Sequence, residues 1–301
     1  MKIIYGINKI RKFRKPVVAL GVFDGVHRGH RIILQAAARK AGQIRGTAVA
    51  LTFWPHPQKE ESLYSLEHRL RLIEELGIGV CIVINFNQRF AKITAEDFIK
   101  DILVDKLRAN YVYVGKNFRF GRGAKGNFKT LSRLSGVHNF KLQTFTVVKI
   151  NNKPISSTYI RKLIKKGNLG LAQKLLTRRV SILGTVIRGD SLARRLGFPT
   201  ANINPHHEVT PPQGVYAVKI AFRGRKFNGV CYIGSRPTLR TGGDRNIEVY
   251  IFNFKKDIYG KFLEIQFLKK IRGERKFASL CILTEQVKKD VLIAKRLFSH
   301  H

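Results

Sequence analysis

Two histidines three residues apart, His27 and His30, are the residues of this 301-residue chain that are best suited to chemistry. They lie in the segment GVFDGVHRGH, which follows the apolar residues 17–20 and leads into a helix-like stretch at 28–41. A strand, a glycine-rich turn and a helix in this order collect free backbone N–H groups and the positive end of a helix, which suits phosphate. Both imidazoles can donate hydrogen bonds to charge developing on a phosphorus centre. The segment predicts a nucleotide site; the alternative is a helix-capping turn with two surface histidines.

Three further segments of the first half carry residues that suit the same kind of ligand. In TFWPHP, Pro55 and Pro57 stiffen a loop whose aromatic side chains offer flat surfaces for a ring system. In GKNFRFGRG, glycines let the backbone approach a ligand and arginines can pair with phosphate. In SSTYIR, three hydroxyls open a helix that carries Arg161 one turn in, which suits the outer phosphates of ATP. The alternatives are a rigid loop with core aromatics, a flexible basic hairpin and simple helix capping.

The second half contains one long glycine-rich segment, GTVIRGDSLARRLGFPTANI, which begins at Gly184. Such a backbone ahead of a Pro-Thr-Ala-Asn turn can cradle phosphate. Thr200 offers a hydroxyl and Asn202 a carbonyl, and both are hard oxygen ligands that suit Mg²⁺. Glu248 is the lone acid of an apolar strand pattern and can accept the proton of an attacking hydroxyl. The structural alternatives are a glycine-rich barrel corner and an outward-facing strand glutamate.

The elements that must position these residues alternate between strand and helix in the first half. Because ligands bind beyond the carboxyl ends of parallel strands, we expect the four segments to converge at one edge of an α/β sheet with helices on both faces. Strands are predicted at 16–20, 47–53, 79–85, 111–114 and 143–148, and helices at 28–41, 65–76, 94–108 and 157–176.

From about residue 179 strands dominate, and a long amphipathic helix at about 277–297 follows them. Evenly spaced strands closed by a helix predict a small antiparallel β-barrel with a C-terminal helix. The sequence thus predicts two domains, 1–178 and 179–301. The barrel strands are predicted at 180–187, 215–222, 227–234, 247–254 and 262–269.

Composition limits the class of protein. No apolar run approaches the roughly 20 residues that span a bilayer, and the N-terminus lacks the pattern of a signal peptide. We therefore predict a cytoplasmic protein, with its three separated cysteines as buried thiols in a reducing compartment.

The net charge of +38 is spread over the whole chain, with 34 basic and 10 acidic residues in 1–178 and 23 and 9 in 179–301. Such a field attracts polyanions, among them nucleoside triphosphates and nucleic acid. Lys and Arg recur everywhere without interleaved aromatic residues, so most of the excess is predicted to lie on solvated faces. Nucleic acid is therefore not the expected partner, although a basic nucleic-acid-binding protein with vestigial nucleotide motifs is the alternative from another class.

Together, the four segments of the first half resemble the adenylyltransferase module of the bacterial bifunctional riboflavin kinase/FAD synthetase family. The H-x-G-H element is shared with a wider nucleotidylyltransferase class, and the T-F-x-P-H-P and N-F-R-F-G segments narrow the resemblance to its flavin branch. The resemblance implies that His27 and His30 stabilise the α-phosphate of ATP during adenylyl transfer. It implies that ATP is bound by Gly21, Phe23, Asp24, Gly25, Ser157, Thr158 and Arg161, and the flavin by Pro55, Pro57, Asn117, Phe118, Arg119 and Gly121.

The second half resembles the riboflavin kinase module of the same family, in the same module order. This resemblance implies Glu248 as general base on the ribityl 5′-hydroxyl and Thr200 and Asn202 as ligands of Mg²⁺. It implies that ATP is bound by Gly184, Gly189, Gly197, Pro199, Thr200 and Asn202. The chain departs from the usual pattern at Asn117, Ala193, Tyr232 and Tyr250.

The resemblance implies an enzyme that phosphorylates riboflavin with ATP and then adenylylates FMN to FAD. The departures keep open the alternative that one of the two activities is lost. The expected partners are ATP, riboflavin and FMN, without a membrane, and a homo-oligomer is compatible with the sequence.

Overall fold

The computed structural model describes residues 1–57, 62–189, 193, 196–235 and 245–299. The chain divides into two compact units, Met1–Tyr159 and Ile160–His301. This division follows Tyr159, whereas the domain boundary that the sequence predicts, at 178/179, lies further along the chain, after the helices Ser157–Lys165 and Leu169–Leu176.

In the described part of the first unit, six strands form one parallel sheet in the order β1-β4-β3-β2-β5-β6. The central strands are apolar and buried on both faces, as a sheet covered by helices requires. The strands are β1 (Lys2–Tyr5), β2 (Val17–Leu20), β3 (Ala48–Trp54), β4 (Val80–Asn85), β5 (Tyr111–Gly115) and β6 (Lys141–Phe145).

Polar side chains define where several helices of residues 1–178 begin. The hydroxyls of Ser65 and Thr94 and the amide oxygen of Asn127 accept backbone N–H groups at three N-termini that would otherwise lack partners. The helices are α1 (Arg28–Gln43), α2 (Leu66–Glu74), α3 (Gln88–Ala91), α4 (Ala95–Asp97) with a π-helical continuation (Phe98–Lys106), α5 (Phe128–Val137), α6 (Ser157–Lys165) and α7 (Leu169–Leu176). Short 3₁₀ turns (Ile7–Lys9, Asp24–Val26, Arg122–Ala124) and a hairpin of β7 (Lys149–Ile150) and β8 (Lys153–Pro154) complete these elements.

The strand order reverses between β2 and β5. The chain winds from β2 through β3 to β4 on one side and places β5 and β6 on the other. A crevice therefore opens at the carboxyl ends of β2 and β5, which is where doubly wound sheets bind their ligands.

In the described part of the second unit, six antiparallel strands close into a barrel in the order β10-β13-β12-β11-β14-β9. A long helix, α8 (Leu280–Ser299), follows and is attached to the barrel by an ion pair between Arg272 Nη2 and Asp290 Oδ2 at 2.9 Å. The strands are β9 (Ser181–Ile187), β10 (Thr200–Asn204), β11 (Gly214–Phe222), β12 (Arg225–Ser235), β13 (Arg245–Ile251) and β14 (Phe262–Arg272).

The predicted architecture, a parallel α/β sheet followed by an antiparallel barrel and a C-terminal helix, is confirmed. The sequence interpretation missed β1, α5 and β10, and it treated α6 and α7 as one helix. The break between those helices contains Gly167 at φ +78°, a conformation that ends a helix. Within the described part of the chain, no helix combines the length and the apolar character that crossing a membrane requires.

The cysteines differ from the sequence expectation at one position. Cys81 on β4 and Cys231 on β12 are buried as predicted, but Cys281 at the start of α8 is exposed. The prediction was wrong for Cys281 because the first turn of α8 faces solvent, with Leu280 and Ile282 also exposed.

Thiol labelling tests these environments. Burial raises the pKa of the Cys81 thiol to about 12, so it stays protonated and unreactive at pH 8. We expect a chromogenic disulfide reagent to modify one thiol per native chain and all three after unfolding in guanidinium chloride. Cys281→Ser should abolish the native reaction, and a second rapidly reacting thiol in that variant would contradict the burial of Cys81 and Cys231.

Candidate functional site

The histidine turn lies directly after β2. Phe23 and Gly25 adopt left-handed conformations, at φ +52° and +76°, and fold the chain back so that α1 starts at Arg28. His27 is the N-cap of α1, and its Nδ1 accepts the backbone N–H of His30 at 3.4 Å. A ring nitrogen that accepts a hydrogen bond carries no proton, so this contact places a ring proton of His27 on Nε2. The helix cap thus orients the ring of a predicted catalytic histidine.

The second histidine lies against the first. The rings of His27 and His30 are stacked, with their centroids 3.6 Å apart and their planes 18° from parallel. The edge of Phe23 meets His30 at 5.4 Å between centroids. The expectation that both imidazoles share one face of the helix start therefore agrees with the geometry, and their orientation is set by packing as well as by spacing.

Asp24 supports this turn from inside the protein. Its side chain is buried, and its carboxylate accepts the backbone N–H of Leu63 at 3.0 Å. The backbone carbonyl of Asp24 in turn accepts the hydroxyl of Ser157 at 2.8 Å, which ties the hydroxyl-rich segment to the histidine turn. The structure therefore places this predicted ATP-binding residue in a supporting position, with its carboxylate directed into the protein.

A cavity of about 380 Å³ opens beside the histidines, and we call it the hydroxyl cavity. It is lined on one side by His27, Gly29 and His30, and on the other by Ser156, Ser157 and Thr158. The N-terminus of α6 begins at Ser157, so hydroxyls and the positive end of a helix face the imidazoles across the cavity. Arg161, also predicted to bind ATP, is buried one turn along α6.

A second cavity, of about 580 Å³, is lined by aromatic rings, and we call it the aromatic cavity. Of the residues predicted to bind flavin, Pro57, Asn117, Phe118, Arg119 and Gly121 line it, whereas Pro55 is exposed and does not. Its aromatic wall consists of Phe23, Phe53, Phe86, Phe90, Phe98, Phe118 and Phe120.

The two cavities of the first unit adjoin. His30, Ile33, His56, Gly115 and Asn117 line both of them. The sequence did not identify Phe86, Phe90 or His56 as site residues, because the two phenylalanines follow β4, where no motif marks them. The four predicted segments are thus brought together at the carboxyl ends of β2, β3 and β5.

The barrel also carries two adjoining cavities. The loop cavity, of about 530 Å³, is lined by Gly189, Pro199, Thr200, Asn202 and residues 254–259. The helix cavity, of about 350 Å³, lies between the outer face of the barrel and α8 and includes Phe198, Thr200, Tyr232, Glu248, Tyr250 and Val287. Thr200 lines both cavities, so their junction is at the start of β10.

Glu248 is oriented by two neighbours at this junction. Its Oε2 accepts the hydroxyl of Thr200 at 2.9 Å, and its Oε1 accepts the amide of Asn246 at 2.8 Å. Asn202 and Tyr232 are its cross-strand partners on β10 and β12, so their side chains share the outer face with Glu248. Glu248 is thus an outward-facing strand residue, as the structural alternative has it, and two hydrogen bonds hold its carboxylate.

Two glycines of the predicted kinase signature permit close packing. A Cβ at Gly189 would lie 2.1 Å from the amide nitrogen of Asn202, and one at Gly184 would lie 2.6 Å from the carbonyl of Asn204. Gly197 has φ +85°, which favours glycine. Ala193 is helical, a conformation that suits alanine, and residues 190–192 and 194–195 of this segment lie outside the described residues.

Tyr232 closes one side of the helix cavity. Its hydroxyl donates to Oε1 of Glu274 at 2.7 Å. Burial, together with this hydrogen bond, raises the pKa of Tyr232, so its hydroxyl remains a donor throughout the physiological range. The partner lies 42 residues along the chain, which is why sequence reasoning found no role for either residue.

Comparison with known proteins agrees with this geometry. Residues 9–159 match the FAD synthetase family, and residues 176–298 match the riboflavin kinase family. The bifunctional riboflavin kinase/FMN adenylyltransferase of Escherichia coli K12 is 36% identical over 308 residues, covering 99% of this chain and 98% of the relative. That of Bacillus subtilis 168 is 38% identical over 300 residues, covering 95% and 93%.

One solved structure has the same architecture over nearly the whole chain. It is a crystal structure described as a macrolide-efflux protein from Streptococcus pneumoniae, with a TM-score of 0.83, 28% identity and coverage of 96% of this chain and 97% of that chain. With both family matches in the predicted order, the chain belongs to the bifunctional riboflavin kinase/FMN adenylyltransferase family and is an enzyme with both of these activities.

Proposed function

We propose that the first unit transfers AMP from ATP to FMN and that the barrel transfers the γ-phosphoryl group of ATP to riboflavin. One observation carries the assignment: in each unit a cavity with groups suited to phosphates adjoins a cavity with an aromatic wall. His30 lines both cavities of the first unit, and Thr200, the hydrogen-bond partner of Glu248, lines both cavities of the barrel. A transfer between two bound substrates needs this arrangement, because much of the rate comes from holding the reacting atoms together.

In the first unit, the aromatic cavity takes the isoalloxazine and the hydroxyl cavity takes ATP. An oxygen of the FMN phosphate forms a bond to the α-phosphorus, and the bond from that phosphorus to the bridging oxygen breaks, releasing pyrophosphate. The stacked rings of His27 and His30 line the hydroxyl cavity, with His30 at the junction, so both can stabilise charge on the α-phosphate. Ser157, Thr158 and the N-terminus of α6 hold the β- and γ-phosphates.

The acceptor side of this junction is formed by Asn117 and Arg119. Arg119 lines the aromatic cavity and pairs with the FMN phosphate. Asn117 lines both cavities, and its neutral amide donates to phosphate without the repulsion that a carboxylate would add.

In the barrel, riboflavin occupies the helix cavity and ATP the loop cavity. The ribityl 5′-hydroxyl reaches Glu248, which takes its proton as the oxygen bonds to the γ-phosphorus and ADP leaves. Thr200 orients the Glu248 carboxylate at the point where the two cavities meet. Tyr232, Tyr250 and Phe198 surround the flavin ring under α8.

The donors at the barrel junction suit Mg²⁺. Among the described residues, no group of three or more His, Cys, Asp or Glu side chains gathers to hold a metal ion. The hydroxyl of Thr200 and the amide oxygen of Asn202 are hard ligands of the kind that Mg²⁺ accepts in part, with phosphate oxygens and water completing its shell. Bound there, the ion would neutralise charge on the transferred phosphoryl group.

Replacement of either histidine tests the first assignment. His27→Ala and His30→Ala should each lower FAD formation by about 10²-fold or more, because a preorganised donor to the transition state is lost. With riboflavin, ATP and Mg²⁺ supplied, FMN should accumulate at the parent rate, as measured by chromatographic separation of the flavins. His138→Ala, at the end of α5 and outside both cavities, is the matched control. Loss of both reactions in folded His27→Ala would refute the division of labour.

Replacement of the proposed base tests the second assignment. Glu248→Gln keeps the size of the side chain and removes the proton acceptor, so FMN formation should fall by about 10²–10⁴-fold. Conversion of added FMN to FAD should continue unchanged. Glu264→Gln on β14, which lines neither barrel cavity, is the control and should leave both rates as they are. Retention of kinase activity in Glu248→Gln would exclude general-base catalysis by this residue.

The metal assignment predicts a separable effect. Thr200→Val removes one oxygen ligand, so the Mg²⁺ concentration for half-maximal FMN formation should rise at least about tenfold. The Mg²⁺ dependence of FAD formation from FMN should not move. Thr185→Val, whose hydroxyl contacts His206 away from the junction, serves as control. An unchanged Mg²⁺ dependence of the kinase reaction in Thr200→Val would contradict the assignment.

A further inference from the structure

A fully buried arginine lies behind the histidine turn. Arg69 on α2 is 0% exposed and is the largest of the fully buried side chains in the described residues. It lines neither the hydroxyl cavity nor the aromatic cavity. Burial lowers the pKa of Arg69, against the opposing effect of Asp24, so the protein keeps this guanidinium at a cost in solvation. An arginine that is buried at such a cost in solvation is expected to have a specific role.

Its hydrogen bonds connect two of the four site segments. Nη1 of Arg69 donates to the carbonyl of Val22 in the histidine turn at 3.0 Å and to the carbonyl of Phe53 at the end of β3 at 3.2 Å. Val22 and Phe53 both line the aromatic cavity. One planar group thus spans the carboxyl ends of two adjacent strands just where the site begins.

The remaining contacts extend this connection. Nη2 lies 3.6 Å from Oδ1 of Asp24, and the guanidinium lies over the ring of Trp54 at 5.3 Å from its centroid. The backbone carbonyl of Asp24 accepts the hydroxyl of Ser157, so the same network reaches the third segment. Both carbonyls accept from Nη1, whereas the ion pair with Asp24 is made by Nη2, so the planar guanidinium divides these contacts between two nitrogens, which a single lysine ammonium cannot do.

We propose that Arg69 is a positioning residue for adenylyl transfer. It holds the histidine turn at a fixed distance from the Phe53–Trp54 segment, so that the hydroxyl cavity and the aromatic cavity adjoin. Displacement of reacting groups by about 1 Å can cost about 10²-fold in rate, so a residue that touches neither substrate can govern the reaction. The inference deepens the proposed role of His27 and His30 and depends on it.

The test uses the whole bifunctional chain, whose kinase reaction reports independently on protein concentration. Arg69→Met removes the charge and the fork, and Arg69→Lys keeps the charge alone. With FMN, ATP and Mg²⁺ supplied, kcat for FAD formation should fall about 10²-fold in Arg69→Met and to an intermediate value in Arg69→Lys. The KM values for ATP and FMN should change less than threefold, and FMN formation from riboflavin should not change.

A matched variant separates positioning from stability. Ile73→Ala, buried one turn further along α2, destabilises the same helix without removing a hydrogen bond to either loop. At a temperature where thermal unfolding shows equal folded fractions, Ile73→Ala should retain the parent kcat. An equal loss of kcat in Ile73→Ala and Arg69→Met, or no loss in Arg69→Met, would overturn the proposal.

One further variant, Asp24→Asn, covers the case in which Arg69→Met does not fold. If Arg69→Met does not fold in the first unit, as shown by limited proteolysis, Arg69→Lys and Asp24→Asn decide the question. Asp24→Asn keeps an acceptor for the Leu63 N–H and removes the ion pair, so it should show the same selective loss of kcat. If His27→Ala loses FAD formation while the Arg69 and Asp24 variants do not, only this inference fails; if His27→Ala retains it, the proposed function fails first.

Discussion

The end of a buried parallel strand leaves backbone groups that need partners, and this constraint organises the whole first unit. The carbonyl of Val22 accepts from the hydroxyl of Thr52 at 2.7 Å as well as from Arg69. The carboxylate of Asp24 satisfies the N–H of Leu63, and Nδ1 of His27 accepts the N–H of His30. Each of these bonds satisfies a buried polar group and at the same time orients a residue of the candidate site. The hydrogen bonds that satisfy the backbone at the strand ends are therefore the same ones that orient the residues of the candidate site.

The barrel meets a related constraint through strand register. Side chains on an antiparallel strand alternate between the interior and the outer face, so Cys231 and Val249 are fully buried while their neighbours Tyr232 and Glu248 reach the helix cavity. The direct pairing of Tyr232 with Glu248 sets these two side chains beside each other. A shift of one residue would turn Glu248 into the core, where an unpaired carboxylate is costly. The closed ladder therefore fixes the proposed base without any local motif around it.

Sequence patterns predicted the elements whose signals lie within a few residues of each other. They missed the elements that depend on partners far along the chain. β2, β3 and α1 follow from apolar runs and a cap within a few residues, and the histidine turn follows from its glycines. β10 was missed because its residues Thr200 and Asn202 were interpreted as ligands in a loop, although they pair with β13 some 50 positions later. The aromatic wall and the Arg69 network were missed for the same reason. Phe86, Phe90 and Arg69 come close to the other site residues only when the crossovers of the sheet bring distant segments together.

The charges around the cavities are consistent with the order of the two reactions. Riboflavin is neutral, and the helix cavity that we assign to it contains two acids, Glu248 and Asp290, and two arginines, Arg272 and Arg275, of which Arg272 is paired with Asp290. In the proposed reaction the new phosphate would lie beside Glu248, and repulsion between the two anions would favour release of FMN. The residues described as lining the two cavities of the first unit include no Asp or Glu, but they include Arg119 and three histidines, His27, His30 and His56. The dianionic product that we propose for the barrel is therefore better matched by the first unit, where Asn117 in place of a carboxylate would lower the electrostatic cost of the proposed binding of two phosphates together.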